Sequence, residues 1–126
     1  AITASPGASS YFQGSVVTYA TQSKIAVLGV KAATIKTETV VSKAVAIEMA
    51  AGVQKLYGTD YAISTTGNAG PNKGDADAPV GTVFIGIATP TGVDAFEFAM
   101  GNKRERVIGK TVTRVFQMLQ EEIVKN

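Results

Sequence analysis

The chain has 126 residues, 45% of them hydrophobic and 17% charged, a composition that excludes a disordered segment and is large enough for one domain with a core that needs no staples. A formal net charge of +2, from 12 basic and 10 acidic residues, gives no electrostatic footprint for nucleic acid or a membrane surface; only Lys103, Arg104 and Arg106 cluster. Cys and His are both absent, which removes disulfides, a thiol nucleophile, an imidazole base and the usual zinc ligand sets. A metal-free hydrolytic reaction would then draw its base from Lys, Asp, Glu or Tyr, and a hydroxyl nucleophile served by a Lys base is the leading option. The acidic residues are dispersed except for Asp75/Asp77 and Glu121/Glu122, a pattern that lends no support to a Mg site without excluding one.

Taken in order, Ala1 to Ala4 read as the tail of a helix, because Ser5-Pro6-Gly7 is a stop signal with nothing ahead of it to stop. A segment ahead of residue 1 is therefore expected. Ser9 and Ser10 follow in a small-residue turn, where from residue type alone backbone capping is the better reading. Ser15 to Ala20, S-V-V-T-Y-A, is β-branched and aromatic and predicts a strand ending near Tyr19. Thr21 is placed to cap a short helix closed by Gly29, with Lys24 in its early turns beside Ile25, Val27 and Leu28. The positive end of a helix repels a cation, and burial would lower the pKa of that Lys further; against this stands an ordinary solvated Lys on the polar face.

Val30 to Val41 reads as a connector with an extended piece at Thr34 to Lys36. Ser42 caps a longer helix through Tyr57, carrying Val45, Met49, Val53 and Leu56 at helical spacing and closed by Gly58. Asp60 to Thr65 is a strand that delivers its carboxyl end into a long Gly/Pro/Asp-rich loop, Thr66 to Thr82. Loops of that length are uncommon in compact domains. Exposed N–H groups in its Gly-rich turn could hold a phosphate, and a purely structural turn is an equal alternative; it is neither a P-loop nor a dinucleotide fingerprint. Gly81 to Thr89 and Val93 to Met100 are strands joined by a turn at Pro90 to Gly92. The last element is a helix from about Arg104 to Val124, with Ile108, Val112, Val115, Leu119 and Ile123 on one face. No tract is long and apolar enough to cross a bilayer and no charged-then-apolar leader opens the sequence, so the expected setting is soluble and cytoplasmic.

This order implies a layered α/β sandwich with a mixed sheet, one domain over residues 1–126, in which ligands sit at the carboxyl ends of strands. Three motifs then carry a resemblance: P-G-A-S-S-Y-F-Q-G-S-V-V-T-Y-A-T-Q-S-K-I-A-V-L-G-V at Pro6 to Val30, T-G-N-A-G-P at Thr66 to Pro71 and P-V-G-T-V at Pro79 to Val83. In collinear order they resemble the carboxy-terminal domain of the competence/damage-inducible CinA proteins, a family that includes the nicotinamide-nucleotide amidases.

The resemblance implies a three-layer α/β/α fold, no cofactor, and hydrolysis of the carboxamide of nicotinamide mononucleotide with release of ammonia. It implies Ser9 as nucleophile, Lys24 as base and Tyr19 as a proton relay or orienting group. Thr66 matches a substrate-contacting hydroxyl, and Ser10, Gly67, Gly70 and Arg104 join it as substrate-binding candidates. Lys103 competes with Arg104 for the phosphate, and a solvated pair at a helix start is the alternative for both. The expected partners are a small nucleotide substrate and further copies of the chain, with no nucleic acid and no membrane. The family's upstream S-C-T-G-G is not in the sequence, so an amino-terminal strand and part of a helix are expected to be missing. Asn68 stands where an aliphatic residue is usual, and Ala78 where a basic one is common. A non-catalytic nucleotide-binding or assembly domain is the other reading of the same residues.

Overall fold

A computed structural model describes residues 4, 6–68 and 79–125. Among the described residues, a 3-10 turn at Ala8–Ser10 is followed by four helices, α1 (Thr21–Leu28), α2 (Ala32–Glu38), α3 (Lys43–Tyr57) and α4 (Arg104–Lys125), and three strands, β1 (Ala62–Gly67), β2 (Thr82–Thr89) and β3 (Gly92–Ala99). The strands form one sheet in the order β1-β2-β3, with Thr66 opposite Phe84 and Ile85 opposite Phe96. Both pairings are antiparallel, so among the described residues the sheet is open and antiparallel throughout. No helix among them is long and apolar enough to cross a membrane.

The two faces of the sheet differ because residue size alternates along the strands. On one face Ser64, Gly86, Ala88 and Ala95 are small, so α3 lies close to the sheet: the Ser64 hydroxyl donates to the Ala46 carbonyl at 2.6 Å. A Cβ on Gly86 would stand 2.4 Å from the Ala46 carbonyl oxygen, so only glycine permits that approach. On the other face Val83 and Ile85 cluster with Met100, Val107 and Met118, backed by Ile63, Phe98 and Val115. This is the α4 side of a three-layer α/β/α arrangement. Outside α3, Leu28 and Val30 join Val45 and Met49, which fixes α1 and the following turn to the α3 layer.

Ser42 caps α3 as its sequence position predicts, its hydroxyl accepting from the Val45 N–H at 3.3 Å. Gly29 and Gly58 end α1 and α3 in the left-handed conformation, with φ of 73° and 63°. Four expectations need correction. The N-cap of α1 is Ala20, not Thr21, and the Ser23 hydroxyl turns back to donate to the Ala20 carbonyl at 2.7 Å. Thr34 to Lys36 is part of α2 rather than extended, because Glu48 reaches across from α3 to accept from the Lys31 N–H at 2.8 Å and the Thr34 hydroxyl at 2.6 Å, capping that short helix from outside. A tertiary contact supplies what local propensity did not.

The third correction concerns Ser15 to Ala20. It keeps strand-like alternation, with Thr18 buried while Val17 and Tyr19 are 85% and 84% exposed, but it belongs to no ladder. β-branched residues set an extended backbone; a strand also needs a neighbour for its N–H and C=O groups. The fourth is α4. It packs through Val107, Val115 and Met118, whereas Ile108, Val112 and Ile123 of the apolar stripe read from the sequence remain substantially exposed. Together with the outer edge of β1 and the extended 11–16 stretch, that exposed stripe walls an open trough of about 1720 Å³. The expected helix tail at Ala1 to Ala4 lies, apart from Ala4, outside the described residues, as does 69–78 of the long loop.

Candidate active site

Two short elements carry the reacting groups that the sequence singles out. The first is the turn at Ala8–Ser10. Gly7, at φ 82°, lets the chain enter it, and the backbone N–H groups of Tyr11 and Phe12 close it on the Ala8 carbonyl. Within it the two serines differ: the Ser10 hydroxyl donates to the Gly7 carbonyl at 2.8 Å, whereas the exposed Ser9 hydroxyl has no hydrogen-bond partner among the described residues. Local capping therefore accounts for Ser10 and leaves Ser9 available for chemistry.

The second element is α1 with the extended residues before it. Lys24 is only 8% exposed, and its ammonium donates to the main-chain carbonyl of Thr18 at 2.7 Å. The solvated reading of Lys24 is thereby overturned. Burial lowers its pKa below the usual 10.5, since desolvation penalises the charged form. A carbonyl dipole is a weak counter-charge, so among the described residues Lys24 is a buried amine with no carboxylate partner. Tyr19 points the other way, almost fully exposed into the trough.

The remaining candidates fall on the sheet edge and the start of α4. Thr66 is buried, and its hydroxyl donates to the Val40 carbonyl at 2.9 Å, so it ties β1 to the turn preceding α3. That turn is strained: Thr39 has φ 70°, uncommon for a β-branched residue. Gly67 pairs with Val83, and a Cβ there would be 2.9 Å from Val83 Cγ2; its place is explained by packing across the ladder. Gly70 lies outside the described residues. The base of the loop is closed by Asn68 N–H donating to the Thr82 carbonyl at 3.0 Å and by Gly81 N–H donating to the Asn68 carbonyl at 2.6 Å. Arg104 opens α4 and lines the trough with Tyr19 and Gly67; Lys103 precedes it and accepts from the Val107 N–H at 2.9 Å.

The candidates do not all line the trough. Tyr19, Gly67 and Arg104 share the trough; Ser9, Ser10, Lys24 and Thr66 are not among the residues that line it. At about 1720 Å³ the trough is larger than an ordinary small-ligand cleft, about 300–1,000 Å³, and neither the candidate nucleophile nor the candidate base lines it. Among the described residues no group of three or more acidic side chains could hold a metal ion. Sequence reasoning missed Thr18, whose carbonyl holds Lys24, and Tyr57, whose hydroxyl donates to the Ser15 carbonyl at 3.1 Å. A backbone acceptor leaves no residue-type signal, and Tyr57 reads simply as the end of an amphipathic helix.

The CinA C-terminal domain profile matches residues 1–123. The chain belongs to the CinA C-terminal domain family. It is 54% identical over 125 residues to a CinA-like protein of Flavobacterium psychrophilum, covering 99% of this chain and 30% of that protein. A putative competence-damage inducible protein of Clostridium botulinum is 40% identical over 119 residues, covering 94% of this chain and 29% of the relative. The chain thus spans under a third of the length of the curated relatives it matches. Among solved structures, the competence damage-inducible protein A (ComA) of Klebsiella pneumoniae superposes with a TM-score of 0.92 at 29% identity, covering 98% of this chain and 76% of that one. The competence/damage inducible protein CihA of Agrobacterium tumefaciens gives 0.88 at 32% identity, covering 94% and 73%. The α/β architecture described above is that of the CinA structures.

Proposed function

We propose that this CinA C-terminal domain is an amidohydrolase that deamidates nicotinamide mononucleotide, with Ser9 as nucleophile, Lys24 as general base and acid, and Tyr19 assisting. The observation that carries the reading is the state of Lys24, a buried amine with a lowered pKa, held by a carbonyl rather than neutralised by a carboxylate. A Lys must be neutral to act as a base, and desolvation drives it toward that form.

The steps follow from that pair. Ser9 Oγ adds to the carboxamide carbon as neutral Lys24 takes the hydroxyl proton. The tetrahedral intermediate collapses, Lys24 returns the proton to the departing nitrogen, and ammonia leaves an acyl-enzyme on Ser9. Water then attacks the acyl carbon, giving its proton to Lys24, and the carboxylate departs as Ser9 regains its proton. Thr66, Gly67, Gly70 and Arg104 are the substrate-binding side of this reading, with Arg104 or Lys103 at the nucleotide phosphate. No cofactor or metal enters any step.

The test is ammonia release from nicotinamide mononucleotide by the full protein. Stoichiometric product at high enzyme concentration is expected, with loss of release in both Ser9→Ala and Lys24→Ala variants of about equal size, because the two act as a unit. Nucleotide binding without any ammonia release would overturn the reading in favour of a non-catalytic nucleotide-binding domain.

A further inference from the structure

Lys24 is held through the residues before it, so what holds those residues matters. From Gln13 to Tyr19 the chain is outside any ladder, and a stretch of that kind drifts unless side chains fix it. Two fixings are visible. Toward α1, Thr18 accepts from Lys24. Toward the body of the domain, Tyr57, the last residue of α3, donates its hydroxyl to the Ser15 carbonyl at 3.1 Å. The hydroxyl end of its ring also abuts Gly14: a Cβ there would stand 2.7 Å from Tyr57 Cε1 and 2.9 Å from Cζ. Gly14 is thus a seat for this ring, and α3, packed on all three strands, is the rigid support behind it.

We propose that Tyr57 is a positioning residue: seated on Gly14 and bonded to Ser15, it fixes the extended segment whose Thr18 carbonyl holds the Lys24 amine. The role of Lys24 in this statement rests on the amidase reading; the clamp itself rests only on the Tyr57, Gly14, Ser15 and Thr18 geometry. Ser15 and Thr18, the two ends of the arm, are only three steps apart along the chain. In extended chain that is about 10 Å, too short to absorb a displacement, so release at Ser15 is transmitted to Thr18. A merely structural tyrosine would support the stability of α3 without altering how Lys24 is held.

The deciding measurement is the rate of reductive methylation of Lys24 in the full protein, followed by peptide mass spectrometry, alongside the thermal midpoint. Tyr57→Phe keeps the ring and removes only the hydroxyl; Lys24 should be modified about three- to tenfold faster, the effect of losing one net hydrogen bond from a locally opening segment. Gly14→Ala, which collides with the ring, should do the same. In ammonia release, kcat should fall with KM unchanged. Parent-like Lys24 modification in both Tyr57→Phe and Tyr57→Leu, with only the thermal midpoint lowered, would overturn the clamp. Absence of turnover in the parent overturns the amidase reading instead and leaves the methylation result to decide this one.

Discussion

The ammonium of Lys24 donates to the carbonyl of Thr18, six residues upstream, at 2.7 Å, with both residues buried. The bond folds the extended 13–19 segment back onto α1 and places this amine, its pKa lowered by burial, at the joint between them. Several measurable consequences follow from that joint and from the sheet packed behind it.

Activity should rise with pH through the lowered pKa of Lys24 and reach a plateau above it, because only the neutral amine accepts the Ser9 proton. The inflection is expected below 10.5, the ordinary lysine value, on a kcat profile against pH. Lys24→Arg, permanently charged, should lose nearly all kcat at every pH where the protein is folded. Retention of most activity in that variant would show that another group is the base.

Stability should carry the same signature with a determined sign. The folded chain binds a proton at Lys24 less tightly than the unfolded chain does, so at pH values below the lowered pKa the full desolvation cost is present. Between that pKa and 10.5 the unfolded state holds more protons, and stability rises with pH. Thermal midpoints of the parent relative to Lys24→Met should therefore climb across that window and stay level below it. A difference independent of pH would mean that Lys24 is not desolvated in the folded state.

Ser9 and Ser10 separate cleanly by substitution. Ser10→Ala removes one exposed hydrogen bond to Gly7 and should cost about 0.5–1 kcal/mol of stability with kcat retained. Ser9→Ala should leave the thermal midpoint within a degree or so of the parent and abolish the acyl-enzyme seen by intact-mass trapping. An acyl adduct that persists in Ser9→Ala and disappears in Ser10→Ala would reverse the assignment.

Thr66 should behave as a tie before it behaves as a contact. Thr66→Val keeps the shape but removes the donor to Val40, leaving that carbonyl without its bond, at a cost of about 1–3 kcal/mol in denaturant unfolding. If Thr66 also touches substrate, KM rises in the same variant while kcat holds. Gly86→Ala gives a harsher reference, since its Cβ would stand 2.4 Å from the Ala46 carbonyl and separate α3 from the sheet; unfolding or insolubility is the expected result.

What the sequence determined by itself is local in origin. Apolar periodicity placed α3, β2, β3 and α4 within a residue or two, Gly29 and Gly58 marked two helix ends, and Ser42 marked a helix start, because each depends on neighbours in the chain. The absence of His and Cys turned attention to a Lys base, and the motif order named Ser9, Tyr19 and Lys24. Tertiary structure decided the rest. Whether Ser15 to Ala20 is a strand depends on a ladder partner, and α2 depends on Glu48, which arrives from another helix. Whether Lys24 is solvated or buried depends on Thr18 and on the packing of α1, and a β-branched stretch reads the same in either case. Burial and backbone acceptors are properties of the folded chain, and those two properties set the state of the Lys24 amine.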